Sequence, residues 1–156
     1  MIRVLFVCLG NICRSPMAEG LLKKRIKDLG LENQIHVESR ATSSYEIGNP
    51  PHRKTMAILN RENAKLIGKT AQLISTEDFN TFDYIIGMDL ENIDNLKRIA
   101  GRYQDKIYLF RDIDESTKNE EVLDPYYNGQ YEETYKLIND SLDKWINHLI
   151  KTKNSY

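Results

Sequence analysis

The run Cys8-Leu9-Gly10-Asn11-Ile12-Cys13-Arg14-Ser15 sets a thiol and a guanidinium six positions apart and closes on a hydroxyl. A thiol attacks as its thiolate, a form favoured by backbone N–H groups at a helix N-terminus and by a neighbouring guanidinium. The same N–H groups bind phosphate oxygens. A loop curled so that successive N–H groups point inward makes an anion nest, and Gly10 is the residue expected to supply the backbone angles. Arg14 adds a planar, bidentate clamp that lysine does not offer. Free cysteine is often only a small buried apolar residue, so the spacing alone says little. The context strengthens it: an apolar run precedes Cys8, a glycine lies within, and Ser15-Pro16 follows as a helix start. The chemistry implied is attack of a thiolate on a bound phosphate ester.

These residues must be positioned by the elements around them. Ile2 to Val7 is a nearly continuous apolar run, short enough for a strand buried on both faces of a parallel sheet. Ser15 is expected as an N-cap and Pro16 as the first helical residue, with Met17, Leu21, Leu22, Ile26 and Leu29 forming an apolar stripe that ends at Gly30. The pattern then repeats. A second strand is expected over 34–38, a loop through Gly48-Asn49-Pro50-Pro51, and a helix over about 53–63. A third strand spans 83–88, and Asp89 is placed to cap a helix running to Gly101. A fourth strand spans 106–110, a long polar loop follows, and a last helix starts near Gln130. Strands alternating with helices define an α/β protein: a parallel sheet with helices on both faces and ligand binding beyond the carboxyl ends of the strands. Cys8 follows the first strand and the loop carrying Asp124 follows the fourth, so topology delivers both to one rim.

The stretch CLGNICRSPMAEG resembles the signature of low-molecular-weight protein tyrosine phosphatases. TSSYEIGNPP, DFNTFDYIIGMD and LDPYYNGQYEETYKLI resemble further segments of that family in the same order, so the likeness runs from Met1 to about Ile150. The resemblance implies a four-stranded parallel sheet of the flavodoxin-like phosphatase I fold, filling residues 1–156 as one domain. It implies hydrolysis of phosphotyrosine and aryl phosphates through a phosphocysteine at Cys8, with Arg14 as phosphate clamp and Asp124 of the Asp124-Pro125 pair as general acid. Ser15 is then expected to donate a hydrogen bond to the Cys8 sulfur, with Asn11 and Ser39 holding the loop. Leu9, Gly10, Asn11, Ile12, Cys13, Tyr45, Tyr126 and Tyr127 are the expected substrate-binding residues. No cofactor and no metal are implied, and phosphotyrosine-containing proteins are the expected partners.

The chain departs from the family pattern at Ser39-Arg40-Ala41-Thr42, where Ser-Ala-Gly-Thr is common, and at Pro51-His52, where Pro-Asp is common. The usual histidine before the DF segment is missing from Gly68-Lys69-Thr70-Ala71-Gln72. Three other functions compete. A thioredoxin-linked arsenate reductase needs further cysteines downstream, and none follows Cys13. A protein arginine phosphatase typically has threonine where Ile12 stands. A silent phosphopeptide-binding module is expected to lack the nucleophile or the acid. A net charge of -1 with no basic stripe argues against nucleic acid as a partner. No segment approaches the ~18 apolar residues of a membrane span, and two cysteines so close together do not form a secreted disulfide framework. The expectation is a cytoplasmic protein. His36, His52 and His148 lack metal-ligand spacing and are expected to pack or lie at the surface.

Overall fold

A computed structural model describes residues 1–154. Four parallel strands, β1 (Ile2–Cys8), β2 (Ile35–Ala41), β3 (Tyr84–Gly87) and β4 (Ile107–Leu109), form one sheet in the order β2-β1-β3-β4. The helices are α1 (Arg14–Asp28), α2 (Arg53–Arg61), α3 (Thr76–Thr81), α4 (Leu90–Ala100), α5 (Pro125–Asn128) and α6 (Tyr131–Asn154). Because β1 is interior, its alternate side chains serve two cores. Val4, Phe6 and Cys8 join a cluster with Met17, Leu22, Leu142 and Trp145 of α1 and α6. Leu5 and Val7 join Phe79, Phe82 and Leu96 on the other face. Burying each of these large side chains contributes about 1.5–3 kcal/mol, which is why the strand reads as unbroken hydrophobicity.

The edge strand β2 instead alternates, with Ile35, Val37, Ser39 and Ala41 buried and His36, Glu38 and Arg40 half-exposed. It runs past the expected end at Glu38. Ala41 donates its N–H to the Gln72 carbonyl at 2.7 Å and accepts from Ile74 N–H at 2.9 Å, so the crossing segment keeps the strand extended. Alanine thus sits in ordinary extended backbone where glycine is common in the family.

Two readings of α1 need correction. Its N-cap is Cys13, which makes no side-chain capping bond, and Ser15 and Pro16 lie inside the first turn. The Ser15 hydroxyl is turned away to the Cys8 sulfur instead. Leu29 is exposed, beyond the apolar stripe. The six-residue α3 was absent from the expected elements. It is too short for a helical period to show, and it is held by a reciprocal Ser75–Asp78 capping box and by Phe79 beneath the sheet. At α4, Asp89 accepts from Asn92 N–H at 2.7 Å, as expected of a cap. His52 caps α2 and stacks on Tyr131, His36 stacks on Phe82, and His148 packs against Trp145.

Candidate active site

β1 ends at Cys8, and the chain then turns back under itself to enter α1. The Cys8, Leu9 and Ile12 carbonyls accept from Thr42, Ser43 and His52 N–H at 3.0, 2.9 and 2.8 Å. In a planar trans peptide the following N–H points the opposite way, so these outward carbonyls turn the Leu9, Gly10 and Cys13 N–H groups towards the hollow. The left-handed residue that makes the curl is Asn11, at φ 58°, and not Gly10, as had been expected. Asparagine tolerates this region because its short side chain bonds locally. At Gly10 a Cβ would meet Glu46 Cγ, in the wall of the cleft, at 3.4 Å, an ordinary contact.

Asn11 is fully buried behind the loop and does not line the cleft. Its Nδ2 donates to Ser15 Oγ at 2.8 Å and to Ser39 Oγ at 2.9 Å. Its Oδ1 accepts from Gln72 N–H at 3.1 Å. Ser15 Oγ lies 3.0 Å from Cys8 Sγ. Ser39 donates to Glu19 Oε1 at 2.6 Å, and Glu19 in turn is paired with Lys23 at 2.7 Å and Lys69 at 3.2 Å. Sequence reasoning missed Glu19 and Lys69, since a charge on a helix and a lysine in a loop read as solvent-facing. Arg40, one of the departures, pairs with Glu38 and Asp78 and donates to the Ser39 carbonyl.

Arg14 is 1% exposed. Its Nη1 donates to Asp89 Oδ2 at 2.6 Å and to the Val122 carbonyl at 2.8 Å. Its Nη2 lies 3.5 Å from Asp124 Oδ2, and its Nε has no partner. Burial works against the charge, but Cys8, Asp124 and Asp89 outweigh it and hold the guanidinium above its usual value. Asp124 is the N-cap of α5, where its Oδ1 accepts from Tyr126 N–H at 3.1 Å. The loop that brings it here is registered at Val122, whose N–H bonds the Met88 carbonyl at 2.9 Å beyond the end of β3. Burial pushes the Cys13 thiol up to about 12, and its sulfur lies 3.5 Å from the Tyr131 hydroxyl. Both cysteines are free thiols.

Above the loop opens a cleft of about 220 Å³ lined by Cys8, Leu9, Gly10, Ile12, Cys13, Ser43, Tyr45, Glu46, Asp124, Tyr126 and Tyr127. Apart from Asn11, every expected substrate-binding residue is on that wall, and Ser43 and Glu46 join them. Tyr45 and Tyr127 are largely exposed and stand at the mouth.

The parallel α/β fold thus gathers a thiol, a guanidinium and a carboxylate around one loop whose N–H groups turn inward. The profile of the low molecular weight phosphotyrosine protein phosphatases matches residues 3–155, and the chain belongs to that family. It is 41% identical over 154 residues to the low molecular weight protein-tyrosine-phosphatase PtpA of Staphylococcus saprophyticus, covering 99% of this chain and 97% of the relative. It is 43% identical over 155 residues to YfkJ of Bacillus subtilis, a low molecular weight protein-tyrosine-phosphatase, covering 98% of this chain and 99% of the relative. The YfkJ crystal structure superposes with a TM-score of 0.95 over 98% of this chain and 97% of that one. The low molecular weight protein tyrosine phosphatase of Streptococcus pyogenes is 44% identical, with a TM-score of 0.85 over 96% of this chain and 93% of that one. The fold is the four-stranded sheet expected, the protein is a protein tyrosine phosphatase of the cysteine-based kind, and its substrates are phosphoproteins. Among the described residues no helix is long and apolar enough to cross a membrane.

Proposed function

We propose that Cys8 is the nucleophile, Arg14 the phosphate clamp and Asp124 the general acid in hydrolysis of phosphotyrosine on proteins. The observation that carries this is the Arg14 edge: Nη1 is spent on Asp89 and Val122, while the buried Nε has no partner beside the cysteine loop. A buried donor without an acceptor is costly unless a ligand supplies one, and a phosphate oxygen does. In the first step the Cys8 thiolate attacks phosphorus, the P–O bond to the phenol breaks, and Asp124 in its protonated form gives the leaving oxygen its proton. In the second step Asp124 takes a proton from water, the water oxygen bonds to phosphorus, and the P–S bond breaks to return the thiolate. The inward N–H groups and Arg14 bind the equatorial oxygens throughout.

Tyr45, Tyr126 and Tyr127 around Ile12 favour a ring, whose burial contributes about 1.5–3 kcal/mol, roughly tenfold or more over a short alkyl phosphate. Phosphoserine therefore reacts poorly. Ile12 offers nothing to the N–H groups of phosphoarginine. Two free cysteines suit a reducing, cytoplasmic setting, and the near-neutral net charge suits protein partners over nucleic acid. The whole chain acts as one domain. Aryl phosphate hydrolysis without added metal tests the reading: Cys8→Ser is inactive, and full metal-dependent activity in that variant would sink it. Ile12→Thr shifts kcat/KM towards phosphoarginine, whereas a wild-type preference for phosphoarginine overturns the substrate assignment.

A further inference from the structure

The wall of the cleft is less firmly held than its floor. Tyr126 is 56% exposed, and its ring makes edge-to-face contacts with two others, Tyr127 at 5.3 Å and His52 at 6.4 Å between centroids. Tyr127 is itself largely exposed at the mouth, so it gives Tyr126 no fixed footing. His52 does. Its ring stacks on that of Tyr131 at 5.0 Å. Tyr131 is buried, with its hydroxyl against Cys13 Sγ and the Lys54 ammonium 5.4 Å from its ring centre. The imidazole Nδ1 accepts from Lys54 N–H at 3.1 Å, which orients the ring and leaves its proton on Nε2. Burial and the charges of Arg53 and Lys54 hold the His52 pKa below its usual value, so the neutral ring is the form kept. The His52 backbone N–H donates to the carbonyl of Ile12, whose side chain lines the same cleft.

We propose that His52 is a positioning residue for the substrate ring: standing on Tyr131, its imidazole braces Tyr126 as a wall for the aryl group. The proposal rests on the cleft taking an aryl phosphate. His52 stands where aspartate is common in the family, and the two residue types share one property and differ in another. An aspartate accepts the helix-cap bond as an imidazole does, but it has no ring to set between Tyr131 and Tyr126. With the brace, Tyr126 holds its place while the cleft is empty. Without it the exposed side chain is free to take other rotamers, and ordering it again on binding weakens the hold on an aryl group. Edge-to-face ring pairs are worth roughly threefold to tenfold in an equilibrium constant, which sets the size of the effect.

Aryl phosphate hydrolysis and inhibition by inorganic phosphate separate this role from a merely structural one, because only the first involves a ring. In His52→Asn and His52→Asp, which keep an acceptor for Lys54 N–H and lose the ring, kcat/KM for an aryl phosphate falls roughly threefold to tenfold, carried by KM. The inhibition constant of inorganic phosphate stays within about twofold of wild type, since the backbone bond to Ile12 does not depend on the side chain at position 52. His52→Phe, which loses the cap and keeps a ring, holds aryl kcat/KM within about twofold of wild type. In a Tyr126→Ala background His52→Asn has no further effect, because the brace has nothing left to hold. An unchanged kcat/KM in both variants without a ring, a Phe variant as impaired as Asn, a matching loss of phosphate affinity, or an Asn effect that persists in full without Tyr126 overturns the proposal. Wild type assayed on aryl and short alkyl phosphates tells the two failures apart: no aryl preference in wild type sinks the reading of the cleft and the proposal with it, whereas the outcomes above sink the brace alone.

Discussion

The two loops that meet at the cleft are held in opposite ways. The loop after β1 is short and buried, and its geometry is set by Asn11, Ser15 and Ser39 in a few direct bonds. The loop after β4 is long and irregular, with 3-10 turns at Phe110–Ile113 and Glu115–Thr117 before Asp124 arrives on α5. It is moored at scattered points: Val122 to Met88 and Arg14, and Arg111 to Glu120, Ser141 and the Leu137 carbonyl. A phosphate cradle needs several donors fixed at once, which a compact turn supplies. A proton donor needs one group at one distance, which a few anchors supply. Arg14 bonds Val122 and lies against Asp124, so the proposed clamp also registers the proposed acid.

The strongest way to break this comparison is to remove the acid alone. Asp124→Ala lowers kcat roughly a hundredfold for aryl phosphates of high leaving-group pKa and less for activated ones, measured across a leaving-group series. Equal losses across the series would show that the variant had damaged the cradle instead. Arg111→Met loosens a mooring of the acid loop far from the phosphate. It costs about 1–3 kcal/mol in urea unfolding and lowers kcat several-fold, while inorganic phosphate binds as in wild type. If phosphate affinity falls in step with kcat, the loops are one unit and the contrast fails. The smallest effect concerns Cys13, under the first loop. Its thiol has a usual value of 9.0 and is pushed up to about 12 by burial, so the folded state holds that proton where the unfolded chain releases it. The contribution is full below about pH 9 and is lost as pH rises towards 12. Thermal unfolding followed from pH 8 to 11 should show a decline that Cys13→Ala blunts. An identical decline in the variant would assign it to other groups, Tyr131 first among them, since burial raises its pKa too.

The same contrast explains what could be read from the chain. The first loop is contiguous, so thiol, arginine and helix start stand at fixed spacing and announce themselves. Asp124 was found through topology and the DPYY likeness. Asp89 was legible only as a helix cap, and a cap it is, yet its other oxygen takes Arg14. That pair spans 75 positions and leaves no spacing to detect. Glu19 hides for a related reason: the first turns of α1 are buried all round, and a helical stripe marks one face only. Asn11 took the left-handed place assigned to Gly10 because its side chain has three partners waiting, a fact of tertiary structure.

The margins of the sheet carry a different consequence. β4 has three residues, and beyond it little backbone is offered to another chain. β2 is longer, but its last residue is already bonded to the Gln72–Ile74 segment, and its outer positions carry His36, Glu38 and Arg40 tied to one another. Unpaired strand edges recruit other strands, and shortness, cover and charge are the means that discourage it. A protein whose work requires an open mouth rimmed with tyrosines has apolar surface that it must leave uncovered. With its sheet edges short, partly covered and charged, it can keep that mouth open in a crowded solution with less risk of aggregating through its backbone.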